Sequence, residues 1–431
     1  MTVGGGAVAA TVEEFALLVG AAALIALVAR RFAIQYTLAL VLFGLGVALV
    51  SPGIGLQITP ELVLLVLLPG LVFEAAYQID VRELRRSFGW VVVLAAPGVV
   101  ISATVVALVL NLATGLPLDL AFVVGAMVSA TDPAAVVATF KRLRSPARLR
   151  TLVDAESLFN DGTAIVVFAI AIRAVSHPLQ PGEAVVAFAG AVIVSACIGA
   201  AFGVVASRVI ARVDDHLIEL TISLVLAYGT YLVADRAGQS GIIATVVAGI
   251  VLGSYGRQIG LSAKARAALD TVWEFIAFIL TAIVFLLIGL VIRLGDLTAA
   301  SLAIAWGVVA ILVGRALVVY VLLGIPARLL HTRRGAPAIP LPWLHVMFWG
   351  GLRGAVAVAL VLSLPETLPQ RSLIEGITFG IVLFTLVVQG TTVDALVRRS
   401  GVGTHDPAGR AEAGGSAAGE DEPPRDDPAA S

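Results

Sequence analysis

The chain has 431 residues and a net charge of −1, with 59% hydrophobic and only 13% charged residues. Soluble domains carry roughly 25% charged residues, so this composition excludes a soluble globular protein. Uncharged runs such as 38–57 and 90–118 can each cross a hydrocarbon core of roughly 30 Å, which takes about 20 helical residues. The composition therefore predicts an all-α polytopic membrane protein.

Thirteen segments have the length and apolar character of membrane-spanning helices. Their predicted limits, in chain order, are 11–29, 32–50, 60–78, 88–113, 118–140, 151–175, 183–207, 217–235, 239–255, 271–292, 297–323, 340–363 and 373–397. The segment 257–270, which carries Arg257, Lys264 and Arg266, is predicted to form a surface helix between spans 9 and 10.

The basic residues predict the orientation, because cytoplasmic loops carry an excess of Lys and Arg. One alternating set of connections holds 20 basic residues, whereas the other set holds four, Arg173, Arg236, Arg293 and Arg371. This split predicts that the N-terminus lies outside and the C-terminus in the cytoplasm. No basic region precedes the first apolar run, so we expect no cleaved signal peptide.

The two ends of the chain differ in composition. Residues 401–431 are rich in Gly, Ala and Pro and carry seven acidic and two basic residues. Such a segment has almost nothing to bury and is predicted to be a disordered cytoplasmic tail. Residues 1–400 are predicted to form the transmembrane domain. The single Cys197 excludes an intrachain disulfide, and the scattered His residues argue against a resident metal; we expect no cofactor.

An odd number of spans fits two inverted six-helix repeats joined by one linking helix, a recurring plan in transporters. Under that plan span 5 corresponds to span 12. Both contain helix breakers near their middles, Thr131-Asp132-Pro133 in span 5 and the run 350–354, GGLRG, in span 12. We therefore expect both helices to be broken near the membrane midplane.

Ionisable residues at bilayer depth cost roughly 2.5–3.5 kcal/mol each on insertion scales, and they usually face a cavity. The candidates are Glu74, Asp132, Asp154, Glu156, Asp161, Arg315 and Arg353. Two readings of Asp132 stay open. Unwinding at Pro133 frees backbone carbonyls that suit a hard cation; alternatively, Asp132 and Thr131 only cap a proline kink.

The run Asp154 to Asp161 is the second acidic cluster. On a helix Ser157 and Asp161 share a face, as do Glu156 and Asn160. Asp161 is predicted to reach the same depth as Asp132, on the adjacent span. A carboxylate with oxygen neighbours binds either a proton or a cation, which is the chemistry of exchange; the alternative is a structural polar patch between helices. Asp154 is interpreted as an ordinary first-turn acid.

The two deep arginines need partners, because a guanidinium stays charged. We expect Glu156 to pair with one of the two, Arg315 by preference, and Arg353 to require an anion or the carbonyls at a helix C-terminus. Glu74 is either part of a pore wall or a helix–helix hydrogen-bond partner.

At these motifs the sequence resembles the monovalent cation:proton antiporter family, in the branch that includes NhaP-type antiporters and the animal sodium/proton exchangers. The matching stretches are LPGLVFEAAYQID (68–80), SATDPAAVVATF (129–140), ESLFNDGTAIVVF (156–168), SGIIATVVAGIVLG (240–253), WEFIAFILTAIVFLLIGL (273–290) and WGGLRGAVAVAL (349–360). They extend over nearly the whole membrane part, and the tail shows no match.

The resemblance implies that Asp161 is the carboxylate that binds the transported Na⁺ or the proton. Ser157, Glu156 and the backbone of Thr131 would complete the site for the cation. The predicted cation and proton site as a whole comprises Asp161, Ser157, Glu156, Thr131, Asp132 and Asn160.

The resemblance also implies roles for the surrounding residues. Asp132 and Asn160 would shape the crossing between the broken helices. Arg315 would pair with Glu156, and Arg353 would offset charge at the other broken helix. An Asn at 160, before the carboxylate, resembles the electroneutral branch, which exchanges one cation for one proton.

The implied protein is a sodium/proton antiporter of the cell membrane and a homodimer, in which a core bundle moves against a dimerisation domain. We expect monovalent cations, protons and the lipid bilayer as partners, and no nucleic acid. A K⁺/H⁺ antiporter of the same fold stays open. From another class, Gly238-Gln239-Ser240-Gly241 with His345 fits a rhomboid-like intramembrane serine protease, but this reading leaves the buried charges unexplained. A channel is the third class, and nothing resembles a selectivity filter.

Overall fold

The computed structural model describes residues 3–32, 35–50, 59–177, 179–334 and 339–402. These residues form helices and no β-strand, apart from one isolated bridge between Asp132 and Leu352. The predicted disordered tail lies, from residue 403 onward, outside the described residues.

Thirteen spans follow one another in the described ranges, and each matches one of the predicted segments. Their bounds are Val3–Phe32, Tyr36–Val50, Leu62–Gln78, Val81–Thr114, Leu118–Met127 with Ala134–Leu143, Ala147–Ser176, Pro181–Ile210, His216–Arg236, Gly241–Ile259, Ala263–Val291, Ser301–Ala316 continued to Ile325–Arg334, Leu341–Trp349 with Ala355–Leu362, and Arg371–Arg399. A short helix, Leu294–Ala299, precedes span 11. We call the halves of spans 5 and 12 spans 5a, 5b, 12a and 12b.

Eight of the continuous helices in the described part are long and apolar enough to cross a membrane. The broken and shorter spans make up the remainder. The outer faces of the spans carry apolar side chains, for example on the long span 7, where Val186 is 73% and Ile193 61% exposed. A multi-pass, all-helical membrane protein with broken spans 5 and 12 is therefore confirmed.

The predicted surface helix at 257–270 is wrong. Span 9 ends at Ile259, and span 10 begins at Ala263. The Ser262 hydroxyl accepts a hydrogen bond from the backbone N–H of Ala265 at 3.1 Å, which is an N-cap that starts span 10 early. Lys264 and Arg266 consequently belong to the first turns of span 10.

The spans form two bundles. Spans 4, 5, 6, 11, 12 and 13 pack against one another in the first bundle, and spans 1, 2, 3, 7, 8, 9 and 10 pack in the second. Spans 2 and 10 of the second bundle approach closely because Gly44 and Gly289 face each other's backbones, where small residues favour helix packing in lipid. Span 10 also faces span 12b across the junction between the bundles.

Several spans contain π-helical segments, which often occur near functional sites. These segments are Leu62–Leu67 in span 3, Leu252–Gly256 in span 9, Leu317–Gly324 in span 11 and Thr385–Gln389 in span 13. The segment in span 13 places the Thr385 hydroxyl where it accepts the backbone N–H of Arg353 at 3.0 Å. Span 13 thereby supports the break in span 12.

Candidate functional site

Spans 5 and 12 are both interrupted, and their interruptions cross. The helix of span 5 ends at Met127 and resumes at Ala134, and that of span 12 ends at Trp349 and resumes at Ala355. Where they cross, the backbone N–H of Asp132 donates to the carbonyl of Leu352 at 2.8 Å. The breaks predicted at Pro133 and at the glycine-rich run are therefore confirmed.

The carboxylate of Asp132 lies between two helix N-termini. It accepts the backbone N–H of Ala134, the first residue of span 5b, at 2.9 Å, and that of Ala355, the first residue of span 12b. A negative charge at this position stabilises both helix dipoles. Gly354 makes the approach possible, because a Cβ there would overlap the carboxylate. The geometry therefore shows Asp132 as a cap of two helix N-termini.

Arg353 lies at a helix C-terminus, in contrast to Asp132. Its side chain is buried, and Nη1 donates to the carbonyls of Ser129 and Ala130 at 3.2 and 3.0 Å. These carbonyls follow the C-terminal end of span 5a, where a cation is favoured. Arg353 thus finds helix carbonyls, one of the two kinds of partner expected from the sequence.

Glu156 and Arg315 form a buried pair. The two guanidinium nitrogens Nη1 and Nη2 of Arg315 donate to both carboxylate oxygens of Glu156, the second at 3.1 Å. Arg315 also donates from Nε and Nη2 to the carbonyl of Met347 at 3.1 and 2.8 Å. This one guanidinium therefore ties spans 6, 11 and 12a together, and the expected pairing is present.

Hydroxyl and amide groups connect span 6 to the break in span 5. Thr131 and Ser157 share a hydrogen bond of 2.9 Å between their hydroxyls, and Nδ2 of Asn160 donates to Thr131 at 3.4 Å. Among the described residues, Oδ1 of Asn160 and Nε of Arg353 have no hydrogen-bond partner. Both line a cavity of about 10 Å³, which is room for one water molecule.

A much larger cavity, of about 540 Å³, lies between the two bundles. Asp161, Asp132 and Thr131 line its inner end. Lys141 and Arg150, from the basic connection between spans 5 and 6, line the other end. Asp161 accepts no hydrogen bond from any described residue, in contrast to Asp132 and Glu156. Asp161 is consequently a carboxylate with free coordination capacity at the inner end of the large cavity.

The structure separates the predicted site residues into two groups. Asp161, Asp132 and Thr131 line the large cavity. Ser157 lies behind Thr131, and the remaining predicted residues line the small cavity inside the first bundle, namely Glu156, Asn160, Arg315 and Arg353.

The prediction of Asp154 as a first-turn acid is wrong. Span 6 begins at Ala147, so Asp154 lies about two turns inside the helix. It lines the large cavity together with Leu158 and Asp161, which matches an i, i+4, i+7 spacing on one helix face. The sequence contained this spacing, and the misplaced start of the helix concealed it.

Two further cavity residues come from the second bundle. Glu74 of span 3 lines the cavity and accepts a hydrogen bond from Nε2 of Gln78, one turn along the same helix, at 2.6 Å. The geometry therefore favours the pore-wall reading of Glu74. Thr281 of span 10 also lines the cavity, and no sequence signal distinguishes it from the other threonines.

The protease alternative is not supported by the geometry. The Ser240 hydroxyl caps span 9 by accepting the backbone N–H of Ile243 at 3.3 Å. His345 shares a hydrogen bond of 2.8 Å between Nδ1 and the Tyr320 hydroxyl. Ser240 belongs to the second bundle and His345 to the first. Neither is hydrogen-bonded to the other, because Ser240 pairs with Ile243 and His345 with Tyr320.

Residues 18–399 match the family model described as "Sodium/hydrogen exchanger, transmembrane". The chain belongs to this family. It is 37% identical over 373 residues to the Na⁺/H⁺ antiporter ApNhaP of Aphanothece halophytica, with 86% of this chain and 70% of that protein covered. It is 36% identical over 367 residues to the low-affinity Na⁺/H⁺ antiporter NhaS1 of Synechocystis, with 85% and 69% covered.

A solved sodium proton antiporter has the same fold. The sodium proton antiporter MjNhaP1 from Methanocaldococcus jannaschii matches with a TM-score of 0.70 at 18% sequence identity, and the match covers 92% of this chain and 100% of that one. The resemblance inferred from the motifs is therefore confirmed, and the family membership makes the chain a multi-pass membrane transporter rather than a protein of an enzyme family.

Proposed function

We propose that this chain exchanges Na⁺ or Li⁺ for H⁺ across the cell membrane, with Asp161 as the shared binding site for cation and proton. The observation that carries the proposal is the position of Asp161, a carboxylate without a hydrogen-bond donor among the described residues, at the inner end of the large cavity. The named relatives are Na⁺/H⁺ antiporters, which supports sodium as the cation.

The neighbouring residues have supporting roles in this proposal. Thr131 supplies oxygen ligands to a cation at Asp161, with Ser157 bonded to its hydroxyl. Asn160 orients Thr131 from the other side. Glu156 and Arg315 hold span 6 against span 12a, and Asp132 and Arg353 stabilise the crossing. One carboxyl group that holds one proton or one monovalent cation gives electroneutral 1:1 exchange.

The direction of the cavity follows from the charge pattern. Lys141 and Arg150 at its open end belong to the strongly basic set of connections, which the positive-inside rule places in the cytoplasm. We therefore assign the structure to an inward-facing state, with the N-terminus outside and the tail in the cytoplasm. The second bundle, with its exposed face on span 7, is proposed as the dimerisation domain of a homodimer.

The proposal is tested in everted membrane vesicles that carry a pH-sensitive dye and a preset acid-inside gradient. Adding Na⁺ or Li⁺ should dissipate the gradient, and Asp161→Ala should abolish the response. The control is Asp119→Ala, an exposed acid at the start of span 5a, which should respond like the wild type.

Each other outcome decides a specific point. Full activity of Asp161→Ala would contradict the site assignment, and no response to any monovalent cation would contradict the function. A response to K⁺ alone would indicate the K⁺/H⁺ alternative. A rate that changes when valinomycin and K⁺ clamp the membrane potential would contradict electroneutral exchange.

Competition at one carboxyl group also predicts a pH dependence. Protons and Na⁺ exclude each other at Asp161, so the apparent KM for Na⁺ should rise as the pH falls, approaching about tenfold per pH unit where the proton-bound form dominates. The maximal rate should change much less. Measuring initial rates against Na⁺ concentration at several pH values checks this; an apparent KM independent of pH would contradict a shared site.

A further inference from the structure

A second groove, of about 430 Å³, lies on the surface of the first bundle, between spans 11, 12a and 13. It shares no lining residue with the large cavity. Its floor and walls are aromatic and aliphatic, and its polar rim contains His345 and Arg399. Neither the exchange chemistry nor the crossing uses any of these residues.

The aromatic part of the groove is a continuous row of rings. The ring centroids of His345 and Tyr320 lie 5.7 Å apart, those of Tyr320 and Phe348 5.5 Å, and those of Phe348 and Trp349 6.2 Å. The polar atoms of the row are bonded within the protein, because Tyr320 shares a hydrogen bond with His345 and Nε1 of Trp349 donates to the Thr392 hydroxyl at 2.7 Å. The groove therefore offers apolar ring faces along most of its length.

At one end of this row lies Arg399, which has no acidic partner in the part of the chain that the structure describes. Arg399 is the last residue of span 13 and lines the groove. Its neighbour Arg398 donates to the Asp394 carboxylate at 3.1 Å, and Asp394 also pairs with Arg142. Arg399 forms no ion pair with a described residue. The same short stretch thus contains one neutralised arginine and one that can receive an external anion.

The depth of the groove relative to the membrane surface suggests which kind of anion Arg399 binds. With the orientation proposed above, Arg399 lies at the cytoplasmic membrane surface. Thr392, which also lines the groove, lies two helical turns earlier in span 13 and about 10 Å deeper in the membrane. A ligand that fits must be anionic at the surface and apolar below. Guanidinium groups bind phosphate well, and basic pockets between spans on the cytoplasmic side bind anionic lipid head groups.

We propose that this groove binds one anionic phospholipid of the cytoplasmic leaflet. The lipid phosphate lies against Arg399, and one acyl chain lies along Phe348, Trp349 and Leu396. The occupied groove joins spans 11, 12a and 13, so the lipid is carried by the same bundle that holds Asp161.

Native mass spectrometry of the full-length protein in detergent tests the proposal. Phosphatidylglycerol and phosphatidylcholine with identical acyl chains are the probes. We expect phosphatidylglycerol to be retained preferentially, and Arg399→Gln to lower its affinity about fivefold, the effect of about one basic residue near a membrane surface. Arg398→Gln is the matched control. It removes the same charge at the neighbouring position, but the Arg398 side chain is already paired with Asp394.

A second variant tests the apolar part of the groove. Ala395 lines the groove and is exposed, so Ala395→Phe should fill it without disturbing the core and should reduce retention of both lipids. Equal losses in Arg398→Gln and Arg399→Gln, or equal retention of the two lipids by the wild type, would overturn the proposal. Displacement of the lipid by millimolar inorganic phosphate would show a phosphate site instead. The readout is binding, so it does not depend on which cation is transported.

Discussion

At the crossing, individual side chains compensate the charges of helix ends. Asp132 accepts the N–H groups of Ala134 and Ala355 at two N-termini, and Arg353 and Arg315 donate to carbonyls at the ends of spans 5a and 12a. Each helix end carries about half an elementary charge. Three of the charges that appear costly inside a membrane, those of Asp132, Arg315 and Arg353, are thus matched by the backbone. Asp161 has no such match and lies beside Thr131 and Asp132 in the large cavity, which is why the proposed exchange assigns the ion to it.

The buried pair Glu156–Arg315 should dominate local stability. Glu156→Gln leaves a buried guanidinium with a neutral partner, and breaking a buried pair typically costs about 3–5 kcal/mol. We expect a clear fall in the unfolding temperature of the purified protein in detergent. The control is Asp270→Asn, which breaks a pair with Arg257 whose side chains are 34% and 48% exposed and should cost at most about 1 kcal/mol. Equal shifts in the two variants would contradict this ranking.

At the scale of the helices, the crossing depends on one position that tolerates no side chain. A Cβ at Gly354 would overlap the Asp132 carboxylate. Gly354→Ala should therefore push Asp132 away from the N-terminus of span 12b, lower the unfolding temperature and abolish exchange. Gly89→Ala in span 4 is the control, since a Cβ there meets nothing within 4 Å. An active, stable Gly354→Ala protein would show that the crossing can relax.

The helices and their breaks were largely predictable from sequence. A run of about 20 apolar residues is a local signal, and it predicted all thirteen spans. A proline or a glycine cluster inside such a run is also local, and it predicted both breaks. The start of span 6 was less accessible, because Pro146 and the polar residues after it gave no strong apolar signal. Asp154 was misjudged for that reason.

The arrangement of the site was only partly predictable. The pairing of Glu156 with Arg315 followed from the need of a buried guanidinium for an anion. The contact of Asp132 with two backbone N–H groups was not predictable, because one of them comes from span 12b, more than 200 residues away in the chain. The cavity wall formed by Thr281 likewise depends on how the bundles pack, which no single segment encodes.

At the scale of the whole molecule, a cavity between two bundles opens toward the basic side. A single cysteine placed in it reports that opening. In a Cys197→Ser background, Ala138→Cys should react with a membrane-impermeant maleimide in everted vesicles and not in right-side-out ones, because Ala138 lines the cavity. Thr298→Cys, on the exposed short helix before span 11, should show the reverse pattern. Equal labelling from both sides would contradict the assigned orientation.

At the junction between the bundles, span 10 presents a more apolar surface to the cavity than the first bundle does. The first bundle presents Asp161 and Asp132 to the cavity. Span 10 of the second bundle presents one hydroxyl group, that of Thr281, among the apolar side chains of Ala277, Val284 and Phe285. Among the described residues, the side-chain hydrogen bonds between spans, such as Thr163 to Ala95 and Trp273 to Ser223, join spans of the same bundle.

Apolar contacts between packed helices can re-form after a shift, whereas a hydrogen bond must break before one surface can move past the other. In the proposed exchange, the cation and its ligands at Asp161 therefore move together with the first bundle against the apolar face of span 10. A hydrogen bond engineered across this junction should slow exchange.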